Sequence, residues 1–257
     1  MGKPSLDLIT IPFSHYCDKA RWALERSGLA FTERAYLPMF HWAPGFLGGG
    51  GRTVPILRTP DGVFSDSTDI LHYVDGRIPE ARRLFPATDP AVRLQVDRWE
   101  ERLDAHFGPA ARRWAYDLLL PNRAWTTEVL ARTVSPAQGA ALRVVYPAAV
   151  ALLRKGLKIT PAGVARSEAK LREIFDAVAE TLSDGRPYLT GDRFTAADLT
   201  FAALAAPLVF PEGYARFLAD FEALPPAAAE RLRPWREAPA GEFARRVFRD
   251  HRDERPA

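Results

Sequence analysis

The first forty residues constrain the fold more than any other part of the chain. Residues 6–11 (LDLITI) form a short apolar, β-branched run that halts at Pro12, the pattern of a buried strand. Residues 14–28 then place Tyr16, Ala20, Ala23 and Leu24 on one helical face, with Gly28 as the stop. Residues 30–37 (AFTERAYL) alternate around Phe31 as a second strand. Strand, helix and strand in this order predict a parallel pair joined by a right-handed crossover.

Residues 38–52 read as a loop containing four consecutive glycines, Gly48 to Gly51. Residues 55–59 (PILRT) read as a third strand, Pro60-Asp61-Gly62 as a turn, and residues 63–65 as the start of a fourth strand. A hairpin is therefore expected. A helix over about residues 66–77, with Ile70, Val74 and Ile78 on one face, closes an α/β unit spanning residues 1–80. Residues 81–90 (ARRLFPATDP) are polar and proline-punctuated, which predicts an interdomain linker. Asp89-Pro90 has the form of an N-cap followed by proline at the first helical position.

Beyond it, Val92, Val96, Trp99, Leu103, His106 and Phe107 fall close to a 3.6-residue period. Further helices are expected at about 124–133, 136–157, 163–182 and 195–209, with weaker signals near 214–223 and 242–251. No strand signal of comparable strength follows residue 90. Residues 91–257 are thus expected to form an all-helical domain.

Composition narrows the function classes. A net charge of +3 on a chain that is 26% charged leaves no electrostatic footprint for nucleic acid or membrane. The one cysteine, Cys17, forms no intrachain disulfide, so nothing points to an oxidising compartment. The start, MGKPSLDLITIPF, lacks the apolar stretch and cleavage site of a secretory signal, and a cytoplasmic location is expected. The longest apolar runs, 144–153 and 199–210, contain proline and fall short of the ~20 residues of a spanning helix. They are expected to be buried core helices, with no membrane span. No histidine–cysteine cluster has metal-ligand spacing, so no metal is expected. The tetraglycine precedes a strand, the wrong context for a phosphate-binding loop.

Four local features carry chemistry or its alternatives. Ser14-His15-Tyr16-Cys17 stands at a strand-to-helix junction, where orphan backbone N–H groups favour negative charge. A thiolate beside Ser14 would be stabilised by its hydroxyl and by those N–H groups, which raises the reactive fraction of a thiol. Equally, Ser14 is a plain helix cap. Thr53-Val54-Pro55 leads into a strand, so Pro55 must begin it. The Val54–Pro55 bond is either an ordinary trans bond or a cis bond that turns the Val54 backbone N–H and C=O toward a peptide-like ligand. Ser65-Asp66-Ser67-Thr68-Asp69 precedes a helix. Ser67 is expected to cap it, the N–H groups to hold a carboxylate and Asp66 to meet an ammonium, or the segment is a cap with solvated acids. Thr195 and Asp198 have capping-box spacing and are assigned to folding.

In this order and spacing the four features resemble the glutathione transferase superfamily over roughly residues 6–210. Ser14 with Arg21 seven positions on looks like its active-site helix, Val54-Pro55 like its cis-proline turn, and Asp66-Ser67 like its acidic-residue–serine pair. The resemblance implies a thioredoxin-like N-terminal domain followed by an all-α C-terminal domain. It implies glutathione as co-substrate, attack of its thiolate on a hydrophobic electrophile, and a homodimer. By position, Ser14 would orient the thiolate, Val54 would bind the cysteinyl part, and Asp66 and Ser67 would bind the γ-glutamyl group. His41, Trp42 and Arg52 are candidates for the glycyl carboxylate. The segment 119–161 and the tail after Pro211 look longer than that helical domain needs. Phe13, Trp42, Phe107, Trp114, Tyr116 and Tyr146 are candidates to line an apolar pocket, with half of them expected to be plain packing.

Two other readings stand beside this one. The same fold serves a non-catalytic binder of apolar ligands or of a partner. Alternatively Cys17 acts in thiol–disulfide exchange or glutathione removal, against its plain reading as a small packed side chain.

Overall fold

The computed structural model describes residues 6–214 and 220–254. Strand β1 (Leu6–Thr10) is followed by α1 (His15–Ser27) and β2 (Phe31–Ala35), and the two strands pair in parallel. Strands β3 (Ile56–Thr59) and β4 (Gly62–Phe64) form the expected antiparallel hairpin, and β3 runs antiparallel beside β1. The sheet order is β2-β1-β3-β4. Helix α3 (Ser67–Asp75) lies with α1 against the sheet, where Leu8, Ala20, Leu24, Leu57, Ile70 and Val74 close one small core.

The loop expected over 38–52 contains a short helix, α2 (Trp42–Leu47). Its first turn closes through the Gly45 N–H to His41 O bond at 2.9 Å. It ends at Gly48, too soon for any periodicity to show. Gly49 and Gly51 hold φ of 78° and 87°, which explains part of the glycine run.

The connector to the helical domain is not loose. Leu84 and Phe85 are buried, and their N–H groups donate to the Asp75 carboxylate at 2.9 and 2.7 Å. The Ala196 N–H donates to Leu84 O at 2.9 Å, so both domains grip the segment.

Helix α4 (Pro90–Arg102), capped by Asp89 as expected, runs through a π-type turn (Leu103–Phe107) into α5 (Gly108–Leu119). Then come α6 (Arg123–Ala131), α7 (Pro136–Gly156), α8 (Pro161–Thr181) and α9 (Ala196–Val209). The Thr195–Asp198 capping box is present at the head of α9. Helix α10 (Pro226–Glu237) has no counterpart among the expected helices, and it carries Pro226 at its start and Pro234 within it. Proline at the first helical position in fact starts this helix. The last helix among the described residues is α11 (Pro239–His251). Of the weak helix expected near 214–223, residues 215–219 lie outside the described residues, and a single 3₁₀ turn (Phe221–Ala223) follows them.

The two long apolar runs part company. Every residue of α9 is buried, as expected of a core helix. In α7 only Gly139, Leu142, Tyr146 and Ala149 are buried, and the expectation of a buried core helix fails there. Among the described residues, α7 is also the one helix long and apolar enough, by length and composition, to cross a membrane.

Candidate functional site

Strand directions bring three of the four chemical features to one end of the sheet. Ile9, near the end of β1, pairs with Ile56 at the start of β3. Leu57 pairs with Phe64, the last residue of β4. The chain after β1, which carries Ser14, therefore leaves the sheet beside the bend that precedes β3 and the turn that leads into α3. That bend is a cis peptide bond between Val54 and Pro55. Asp66 and Ser67 open α3 at the same end.

Ser14 occupies the N-cap position of α1, half-buried, but its side chain makes no cap hydrogen bond. The plain-cap reading therefore does not account for its hydroxyl, which lies instead within hydrogen-bonding reach of the Cys17 thiol. Cys17 is fully buried. Burial pushes its thiol up to about 11, although the Ile11 N–H (3.4 Å) and the Ser14 hydroxyl pull the other way. A buried thiol held in its protonated form is a poor nucleophile, which disfavours the exchange role for Cys17. His15 is held neutral, its pKa lowered to about 3 by burial and by Arg112, with Nε2 3.2 Å from Gly108 O. The Tyr16 hydroxyl donates to Asp104 O at 2.8 Å. A Cβ at Gly108 would lie 2.2 Å from that hydroxyl, so any larger residue there would push the Tyr16 ring off its bond to Asp104 O. Arg21 is structural: it is buried, and it donates to Asp18 at 2.9 Å and to Glu33 at 2.9 and 2.6 Å.

At the head of α3 the cap is not the expected residue. Asp66, not Ser67, caps the helix, accepting the Thr68 N–H at 2.7 Å and the Asp69 N–H at 3.4 Å. Ser67 Oγ is buried and has no partner within the protein. Such an orphan at a helix N-terminus suits an anionic oxygen from a ligand. Asp66 is exposed, and its second carboxylate oxygen leaves room for an ammonium beside that anion.

Sequence reasoning missed the cluster behind this corner. Lys19 is fully buried and donates to Thr68 Oγ1 at 2.9 Å, to Asp104 Oδ1 at 3.0 Å and to Glu100 Oε1. Burial pulls its pKa down, but Glu100 and Asp104 outweigh that and raise it, so Lys19 stays charged. Its acidic partners lie more than eighty residues away, and the spacing of Glu100 and Asp104, about one helical turn, is the one sequence signal of a shared face.

The candidates for the glycyl end separate. His41 is buried, with Nε2 2.9 Å from Arg52 O and Nδ1 3.5 Å from Leu37 O. Its ring is committed to holding the loop, which removes it as a carboxylate ligand. Trp42 lies 37% exposed on α2, and the exposed Arg52 guanidinium rests 5.6 Å from both the Trp42 and Phe46 ring centres. Arg52 remains the cation beside Val54 in the chain.

An apolar cavity lies between the two domains, lined by Phe13, by residues 37–40, and by α5, α6, α7 and the end of α9. Phe13, Tyr116 and Tyr146 line it, whereas Phe107 and Trp114 are buried in the helical core and Trp42 sits outside. The Tyr146 hydroxyl donates to Leu120 O at 2.7 Å and the Tyr214 hydroxyl to Phe13 O at 3.2 Å. These polar ends are thereby tied to backbone, and the rings present apolar faces inward. Met39 (φ 74°) and Phe210 (φ 40°), both in the lining, hold left-handed backbone, a strain of order 1–3 kcal/mol each that clusters at ligand sites.

Comparison with known proteins follows this geometry. Residues 8–82 match the family model for the glutathione S-transferase N-terminal domain, and residues 161–238 match that for the C-terminal domain. The two matches, in this order and together covering more than half of the chain, place it in the glutathione S-transferase superfamily. No curated protein sequence matches the chain. A glutathione S-transferase from Xanthobacter autotrophicus Py2 aligns at TM-score 0.59 and 17% identity, over 95% of this chain and 93% of that one. The β-etherase LigF of Sphingobium sp. strain SYK-6 aligns at 0.57 and 22%, over 93% and 98%. A glutathione S-transferase from Methylobacillus flagellatus KT, solved with glutathione bound, aligns at 0.53 and 16%, over 93% and 98%. At these identities the likeness shows the fold: a thioredoxin-like domain followed by an all-helical one.

Proposed function

We propose that the protein binds glutathione, or a closely related small thiol, at the sheet end that carries Ser14, and directs its thiolate at an apolar electrophile held in the neighbouring cavity. The observation that carries this reading is the convergence of Ser14, the Val54–Pro55 bend and the orphaned Ser67 Oγ on one sheet end. A tripeptide thiol has a matching group for each: a sulfur, a central peptide unit, and an α-amino acid terminus whose carboxylate fits Ser67 and whose ammonium fits Asp66. Val54 supplies backbone bonds and Arg52 the charge for the glycyl carboxylate. In the reaction the Ser14 hydroxyl donates to the thiolate, the thiol proton having passed to solvent. Sulfur forms a bond to the electrophilic carbon, and the leaving group departs with its bonding pair. The protein contributes thiolate stabilisation and proximity.

On this reading residues 1–80 form the thiol-binding domain, 81–90 the linker, and 91–257 the helical domain that shapes the second pocket. A cytoplasmic homodimer belongs to the same reading, by likeness to the superfamily. The test is conjugation of glutathione to a chromogenic aryl halide, paired with retention on immobilised glutathione. Activity that saturates with glutathione supports the transferase. Failure of both, with an apolar dye still bound, supports the non-catalytic binder instead.

A further inference from the structure

Helix α7 exposes what a soluble helix normally hides. Ala140, Val144, Ala148 and Leu152, four residues apart, form one exposed row along it, with Val144 80% and Leu152 48% exposed. Only 22% of its most apolar stretch is buried. A second exposed apolar group lies on and before α2: Phe40, Trp42, Phe46 and Leu47, the last 90% exposed. Among the described residues, seven of the nine exposed large apolar side chains belong to these two segments, so the exposure is concentrated rather than scattered. The segments adjoin: the Leu37 N–H donates to Gln138 Oε1 at 3.0 Å, and Phe40 and Val145 line the mouth of the same cavity.

The stretch of chain that carries α7 has charge of one sign. From residue 129 to residue 167 there is no aspartate or glutamate, while Arg132, Arg143, Arg154, Lys155, Lys158 and Arg166 are present. Arg154 pairs with Asp117 and Arg132 with Glu128, but Arg143, Lys155 and Lys158 stand exposed on α7 or just past its end. Arg52 adds a cation beside Trp42 and Phe46. An apolar row with aromatic neighbours and a border in which cations outnumber the two paired carboxylates is the chemistry of a helix lying in the plane of an anionic lipid surface.

We propose that α7 and the segment around α2 form a docking face for an anionic bilayer surface. The helix lies on the membrane and does not cross it: its inner row, Leu142 and Tyr146, is packed with Leu37, and the Tyr146 hydroxyl is bonded to Leu120 O. Docking in this pose sets the cavity mouth against the lipid, so apolar molecules dissolved there reach the cavity without crossing water. The face stands on its own geometry, whatever chemistry the cavity serves.

The test is co-sedimentation of the full chain with phosphatidylcholine vesicles, with and without phosphatidylglycerol. Wild-type protein is expected to sediment with the phosphatidylglycerol vesicles and to be released by salt. A Val144→Glu/Leu152→Glu variant is expected to bind at least tenfold more weakly, with unchanged melting temperature, and Leu47→Glu to weaken binding as well. Leu94→Glu, an exposed apolar position on α4, is the control and is expected to bind like wild type. Wild-type protein that stays in the supernatant, or equal binding by the double variant, overturns the proposal. So does a double variant that loses dimer mass in sedimentation while the wild type ignores vesicles, since a second copy of the chain then covers the face.

Discussion

Lys19 Nζ donates to Thr68 Oγ1 at 2.9 Å, and this bond fastens the helix that opens at Ser14 to the helix that opens at Asp66. The two ends of the proposed thiol site are thus held to one another by a buried cation whose remaining partners, Glu100 and Asp104, belong to the helical domain. Lys19→Met removes the tie and leaves buried carboxylate behind. The expected loss is about 3–5 kcal/mol of stability, read by urea unfolding, because an unpaired buried charge is costly. Lys19→Met combined with Glu100→Met is expected to recover much of that loss. A single variant as stable as wild type would show that the cluster contributes nothing.

Asp66 and Ser67 are expected to separate by readout. Ser67→Ala removes a hydroxyl that makes no bond within the protein, so the melting temperature should hold. Its glutathione affinity should fall roughly ten- to hundredfold, as befits a lost hydrogen bond to a charged group. Asp66→Ala removes the α3 cap and is expected to cost about 1 kcal/mol of stability as well as affinity. Calorimetric titration with glutathione and thermal unfolding of both variants check the contrast. Equal melting losses would put Ser67 in the fold alone.

Cys17 should be inert in the native protein. It is fully buried, and burial raises its thiol pKa to about 11. A chromogenic disulfide reagent is expected to find no thiol in the folded chain over minutes and the one thiol in guanidinium. Cys17→Ser should leave conjugation intact. Rapid native labelling would revive the exchange reading.

Acid stability should depend on Glu33. Burial acts to raise its pKa, but hydrogen bonds and charge from Arg21, with the Thr10 hydroxyl at 2.5 Å, outweigh that and hold it below its ordinary value of 4.5. A carboxylate depressed in the folded state adds stability that is present above its unfolded pKa and is lost as pH falls through the folded one. Wild type should therefore lose more stability below pH 4.5 than Glu33→Gln does. Unfolding curves at neutral and acid pH measure the difference, and equal losses would contradict it.

The alternation of strand and helix periods made the parallel pair, the hairpin and most helices legible in the chain, though not the antiparallel pairing of β1 with β3 that joins them. The four chemical features were legible as well, because each is a local junction of strand, turn and helix. What escaped were relations between distant residues. The Lys19 cluster joins positions more than eighty apart, and no local pattern marks it. The commitment of His41 to Arg52 O depends on how a glycine-rich loop folds back. That Asp66 and not Ser67 caps α3 depends on a single residue's backbone angles. The exposure of α7 was hidden because an apolar run reads alike whether its outer face is covered or bare.

The central claim is that Ser14 stabilises a bound thiolate, and the ultraviolet absorbance of that thiolate measures it directly. Titrating the glutathione complex with base should show thiolate already formed near neutral pH, with an apparent pKa well below that of free glutathione. Ser14→Ala should move that pKa back toward the free value while Cys17→Ser leaves it in place. A wild-type complex that titrates like free glutathione, or a Ser14→Ala complex that titrates like wild type, contradicts the account.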